Sequence, residues 1–78
     1  MTVTAYVLIQ TEVGRAEKVA RAARDIAGVV AADNVAGPYD VIVKAESSSL
    51  DELGQLVVSA IQKVDGITRT FTCPVVNL

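Results

Sequence analysis

Two short stretches, Ile26-Ala27-Gly28-Val29 and Val64-Asp65-Gly66-Ile67, repeat the order apolar, any residue, glycine, apolar at a distance of 38 residues. Each marks the place where a helical pattern stops and a strand pattern begins. Before the first, Ala16, Val19, Ala20, Ala23, Ile26 and Ala27 recur at helical spacing, the signature of a helix with one buried stripe. The stripe is built of small side chains, so this helix can approach a sheet closely. It is expected to open at Val13 or Gly14, with Glu17 near its positive end. Before the second, Leu50, Leu53, Val57, Ala60, Ile61 and Val64 form the matching stripe, and Ser49 with Glu52 has capping-box spacing. Gly28 and Gly66 are expected to end the two helices as their C′ residues.

Strand patterns rich in β-branched residues flank these helices at 3–10, 29–35, 40–46 and 67–76. The order is β-α-β-β-α-β, and the short connection between the middle strands makes them an antiparallel hairpin. Right-handed crossovers then give an α+β, ferredoxin-like split βαβ fold. It is expected to be one domain, 1–78, with a four-stranded antiparallel sheet and both helices on one face. Pro74 suits an edge strand.

That arrangement leaves a sheet face uncovered. If Ala5, Val7 and Ile9 meet the helices, Tyr6, Leu8 and Gln10 face away. Ile42, Lys44 and Glu46 join them from the third strand, and Thr68, Thr70 and Thr72 from the last. Ile67, Phe71, Cys73 and Val75 are then assigned to the covered side. A first strand apolar on both sides suggests a sheet covered on both. Composition agrees: 51% of the residues are hydrophobic, although a chain this short buries only roughly 60% of its unfolded surface. A second copy closing over this face in a two-fold dimer is expected, with Tyr6, Leu8, Ile42 and Thr68 at the contact.

Several function classes find no support. The net charge is −2, against the clustered cations that nucleic-acid binding needs. Arg15, Lys18, Arg21 and Arg24 share a helix but alternate with acids such as Glu17, as on a solvated face. The single Cys73 and the lack of histidine exclude an internal disulfide and leave no metal site. Beside Pro74, Cys73 reads as a small buried thiol. No glycine-rich phosphate loop exists, and Asp33, Asp40, Asp51 and Asp65 are scattered over turns and caps. The chain is not read as an enzyme, and no cofactor is expected. No apolar stretch reaches the ~20 residues of a membrane span, and Met-Thr-Val-Thr is not a signal-peptide start. A cytoplasmic location follows as the expectation.

Binding chemistry is concentrated in Val35-Ala36-Gly37-Pro38-Tyr39-Asp40-Val41-Ile42-Val43-Lys44. The Gly-Pro turn delivers a phenol and a carboxylate together to the mouth of an apolar strand. Asp40 can accept from an ammonium group, while threonine hydroxyls and backbone N–H groups near Gly37 can meet a carboxylate. Each residue also has a plainer role, Tyr39 in packing and Asp40 as a turn cap.

Three segments carry a resemblance that covers essentially the whole chain: Ala5-Tyr6-Val7-Leu8-Ile9, Gly37-Pro38-Tyr39-Asp40-Val41, and Asp65-Gly66-Ile67-Thr68-Arg69-Thr70-Phe71-Thr72. In this order they resemble the effector-binding (RAM) domain of the Lrp/AsnC transcriptional regulators. The resemblance implies a dimeric α+β barrel, further assembly into a ring of four dimers, and an amino-acid effector site between subunits. Gly37, Tyr39, Asp40, Thr70 and Thr72 are the expected ligand residues. The helix-turn-helix of such regulators is not in this sequence, so it looks like a stand-alone RAM protein without direct DNA binding. Two alternatives stay open. One is a ligand-free interaction module that modulates full-length Lrp/AsnC regulators by mixed assembly; the other is an ACT-like regulatory domain.

Overall fold

The computed structural model describes residues 2–77, apart from the side chain of Leu56; Met1 and Leu78, the ends of the expected domain, lie outside them. The elements are β1 (Val3–Thr11), α1 (Ala16–Arg24), β2 (Val29–Asn34), β3 (Val41–Ser47), a second helix α2, and β4 (Ile67–Pro74). Helix α2 has three pieces: an α-helical turn Leu50–Glu52, a π-helical stretch Leu53–Val58, and an α-helical end Ser59–Gln62. The sheet order is β2-β3-β1-β4, and every neighbouring pair is antiparallel. This is the ferredoxin-like order expected from sequence.

Period-two alternation places Ala5, Val7 and Ile9 of β1 and Val41, Val43 and Ala45 of β3 in the core with no exposed surface. From α1 they meet Val19, Ala20 and Ala23, and from α2 Leu53, Val57 and Ile61. These α2 residues are four apart, and on a 3.6-residue turn they would drift around the axis. The wider π turn, in which the Ser59 N–H reaches back to the Gly54 carbonyl, returns them to one line. Sequence periodicity alone suggests a uniform α-helix there. The Ser49 cap is present, its hydroxyl accepting the Glu52 N–H at 3.1 Å.

The two glycine junctions match each other in detail, although neither glycine directly ends its helix. Helix α1 is capped by Asp25 and α2 by Lys63. The N–H groups of Asp25 and Ile26 bond to Ala22 and Ala23, and those of Lys63 and Val64 to Ala60 and Ile61. This tightens both last turns and satisfies carbonyls otherwise orphaned. The chain then crosses to the sheet, where the Gly28 carbonyl accepts from Glu46 N–H and the Gly66 carbonyl from Glu12 N–H, at 2.7 and 2.8 Å. Gly28 has φ +95°, and a Cβ there would lie 2.6 Å from Val57 Cγ2. Only glycine fits this crossing.

A second shared irregularity has larger consequences. In β2 the pairing steps from Val29↔Ala45 to Ala31↔Lys44, and in β4 from Ile67↔Thr11 to Arg69↔Gln10. Val30 and Thr68 are thus bulge residues in corresponding places of the two halves. An extra residue reverses the alternation beyond it. Phe71 therefore lies opposite Leu8, and Cys73 opposite Tyr6, on the face away from the helices. Thr70 and Thr72 lie opposite Ile9 and Val7, on the helix side. This corrects the expected faces of β4. It also corrects Cys73, which is exposed rather than buried.

Candidate functional site

The chain between β2 and β3 is fixed to the end of β1. Asp40 N–H donates to the Ile9 carbonyl at 2.9 Å, and Asp40 carbonyl accepts from Val35 N–H at 3.0 Å, which closes the turn on itself. The Asp40 carboxylate then does what the next ladder carbonyl would do: its Oδ2 accepts the Thr11 N–H at 2.8 Å. Gln10 donates from Nε2 to the Pro38 carbonyl at 3.0 Å. Gly37 has φ +146°, and a Cβ there would meet no heavy atom within 4 Å. Its requirement for glycine comes from the backbone alone.

Pinned in this way, the turn carries Tyr39 to Phe71 of β4. The rings meet edge to face, centroids 5.9 Å apart and planes at 77°, a favourable aromatic geometry. On Phe71 also lies the guanidinium of Arg69, 5.3 Å from the ring centroid, a cation–π contact. The bulge that exposes this group is held by Thr68, whose hydroxyl donates to the Gln10 carbonyl at 3.2 Å.

Gly37, Tyr39 and Asp40 sit together in the turn at the end of β1. Thr70 and Thr72 are not brought to the same side, because β4 turns them toward the helix layer. In their place the open face offers Gln10, Arg69 and Phe71. No local signal reveals the exchange, since threonine and phenylalanine suit either side of a strand. Tyr6, Leu8 and Ile42 do lie on the open face, where Leu8 pairs with Ile42, and Tyr6 and Phe71 remain 40% and 42% exposed. Thr68 is exposed at the bulge.

Three cavities lie away from the turn. One of about 550 Å³ is lined by Ile26, Ala27, Gly28, Glu46, Ser47, Val57 and Ala60. Another of about 360 Å³ runs along the outer edge of β2 beside Arg24, and one of about 210 Å³ lies near Thr2–Thr4. None of the three touches the Gly37–Asp40 turn, which sits on an open rim. Electrostatics are perturbed at one exposed acid: the hydroxyl of Ser48 and then that of Ser47 hold the Glu52 carboxyl below its ordinary range. No described helix is long and apolar enough to cross a membrane.

The sequence matches the Lrp/AsnC ligand binding domain over residues 4–77. The chain belongs to this family. An uncharacterized HTH-type transcriptional regulator of Pyrococcus horikoshii is 32% identical over 76 residues, covering 88% of this chain and 48% of the regulator. The chain thus spans about half the length of the curated relatives it matches. The crystal structure of TTHA0845 from Thermus thermophilus superposes with a TM-score of 0.88 at 28% identity, over 97% of this chain and 95% of that one. A transcriptional regulator of Neisseria meningitidis, NMB0573, solved as an L-Met complex, shares the fold at 14% identity, with a TM-score of 0.80 over 96% of this chain and 50% of that one. By family the chain is a Lrp/AsnC ligand binding domain, and the curated relatives it matches are named as HTH-type transcriptional regulators.

Proposed function

We propose that this Lrp/AsnC domain binds a small amino acid at the Gly37–Asp40 turn, in a pocket completed by a second copy, and acts in regulation without contacting DNA itself. The observation that carries this reading is the state of Asp40. One carboxylate oxygen is fixed on Thr11 N–H, while the other accepts no hydrogen bond among the described residues. An acceptor held in place beside an aromatic wall suits an ammonium group. The L-Met complex of the Neisseria regulator supports an amino acid as the ligand class. Within one chain Thr70 and Thr72 face the helix side of β4 and do not reach this pocket. The net charge of −2 supports the absence of direct DNA contact.

The test begins with a thermal-shift screen of the twenty amino acids, because a ligand specific to the native state raises its melting temperature. Asp40→Asn keeps an oxygen for Thr11 N–H but removes the charge. It should weaken the ligand by about ten- to a hundredfold and leave the fold intact. Full affinity in Asp40→Asn would reduce Asp40 to a turn residue and move the pocket elsewhere.

A second reading rests on the match to half of each longer regulator: the domain modulates such regulators by mixed assembly and needs no ligand. A duplex-DNA shift by a full-length Lrp/AsnC regulator that changes on adding this chain, with no amino acid present, would favour it.

A further inference from the structure

We infer that Arg69 is the carboxylate-binding residue of the effector site, so that the effector is a zwitterion held between Asp40 and Arg69. This rests on the proposed site and adds its second charged anchor. Three observations support it.

Position comes first. Arg69 lies directly across from Gln10 in β4, and Asp40 flanks Gln10 on the other side, one residue before the Ile9↔Val41 pair. Neighbouring strands are about 4.8 Å apart, so the two backbones are separated by about 10 Å. A carboxylate and a long guanidinium side chain can close on a ligand carrying both charges across that gap. Its aromatic wall would be Phe71, against which Tyr39 already packs.

The second observation is the state of the guanidinium. Arg15 pairs with Asp65, Arg21 with Glu17, and Arg24 donates to the Ala32 carbonyl. Among the described residues Arg69 has no such acceptor; its contact is the Phe71 ring. With its carbon 5.3 Å from the ring centroid and no hydrogen-bond acceptor among the described residues, the guanidinium keeps its N–H groups available, and such a group takes a carboxylate in two parallel hydrogen bonds.

The third is the comparison between halves. The residue equivalent to Arg69 in the first half is Ala31, which follows the matching bulge and pairs with Lys44. The bulged strand therefore does not itself require a cation. Bulges also commonly re-aim a side chain beside a site, and this one is fixed through Thr68.

The experiment compares wild type with Arg69→Met, Arg69→Lys and Arg69→Gln by thermal shift and calorimetry. Probes are the L-amino acids, the primary amines that lack their carboxylate, and the carboxylic acids that lack their amine. Arg69→Met keeps the aliphatic stem over Phe71, and Arg69→Gln serves if that variant melts early. The expected result is a loss of about ten- to a hundredfold in amino-acid affinity for Met and Gln. Lys should recover part of it, and the amines should bind every variant alike. An amino acid that binds Arg69→Met and Arg69→Gln at full strength overturns the inference while the proposed amino-acid function stands. Acids that bind wild type and are lost in Arg69→Met, with no amino acid binding, uphold the anchor and sink the amino-acid reading. If no probe binds wild type, both fall.

Discussion

Val7 and Leu8 are neighbours in β1, yet Val7 is sealed beneath the helices and Leu8 is only half-buried on the opposite side. The helix side is completed within one chain. Its buried residues are Ala, Val, Ile and Leu, with no buried polar or charged residue among those described. The open side is assembled differently. A row of Ile42, Leu8 and Phe71 crosses three strands, bordered by Tyr6, Lys44, Gln10 and Arg69. It is too apolar to be an ordinary solvated surface and too mixed to be a core. Stability is therefore expected to reside on one face, and assembly and ligand contact on the other.

The comparison can be broken most sharply on the helix side. Val7→Asp places an unpaired charge in a site with no polar partner, at a cost of about 4 kcal/mol or more. That is a large fraction of the stability of so small a domain, so the cooperative melting transition should vanish from circular dichroism. A normal transition would mean that this face is not the core.

Leu8→Glu, one residue away, should behave differently. Secondary structure should survive while the solution mass falls, because the charge disturbs a contact between copies rather than a finished core. Unchanged mass together with unchanged melting temperature would show that the open face is not an interface.

The two turn glycines sharpen the same contrast at smaller cost. Gly28→Ala meets Val57 Cγ2 and the Glu46 carbonyl at a positive φ and should lose about 2 kcal/mol. Gly37→Ala has the backbone penalty with open space around it and should lose about 1 kcal/mol. Urea titration separates the two; equal losses would remove packing at Gly28 as the cause.

The smallest effect lies at the start of α2. Hydrogen bonds from Ser48 and then Ser47 lower the folded pKa of Glu52 from its ordinary 4.5. A depressed carboxyl contributes stability above its unfolded pKa and loses it as pH falls through the folded value. Glu52→Gln should therefore melt slightly below wild type at pH 7, and the gap should close below about pH 4.5. A gap independent of pH would point to the lost hydroxyl contacts and not the charge.

Much of the fold was readable because period-two and helical spacing act on every residue of an element. Ala5, Val7 and Ile9, the Val19–Ala20–Ala23 stripe and the Ser49 cap all follow from local pattern. The bulges at Val30 and Thr68 do not, since one extra residue changes register without changing composition. That displacement sent Phe71 and Cys73 to the open face and Thr70 and Thr72 to the helix side. The Gly37–Asp40 turn was visible as a turn, but its attachment to Gln10 and Thr11 joins residues 28 and 29 positions apart. Such contacts depend on strand order, which local pattern does not contain.

The division of labour between the two faces is tested most directly by the molar mass of the purified chain in solution, measured by light scattering at micromolar concentration. The expected value is at least twice the 8.2 kDa of one chain, with the open face buried between copies. A folded, cooperatively melting species of 8.2 kDa would show that the open face works without a second copy and would contradict the account.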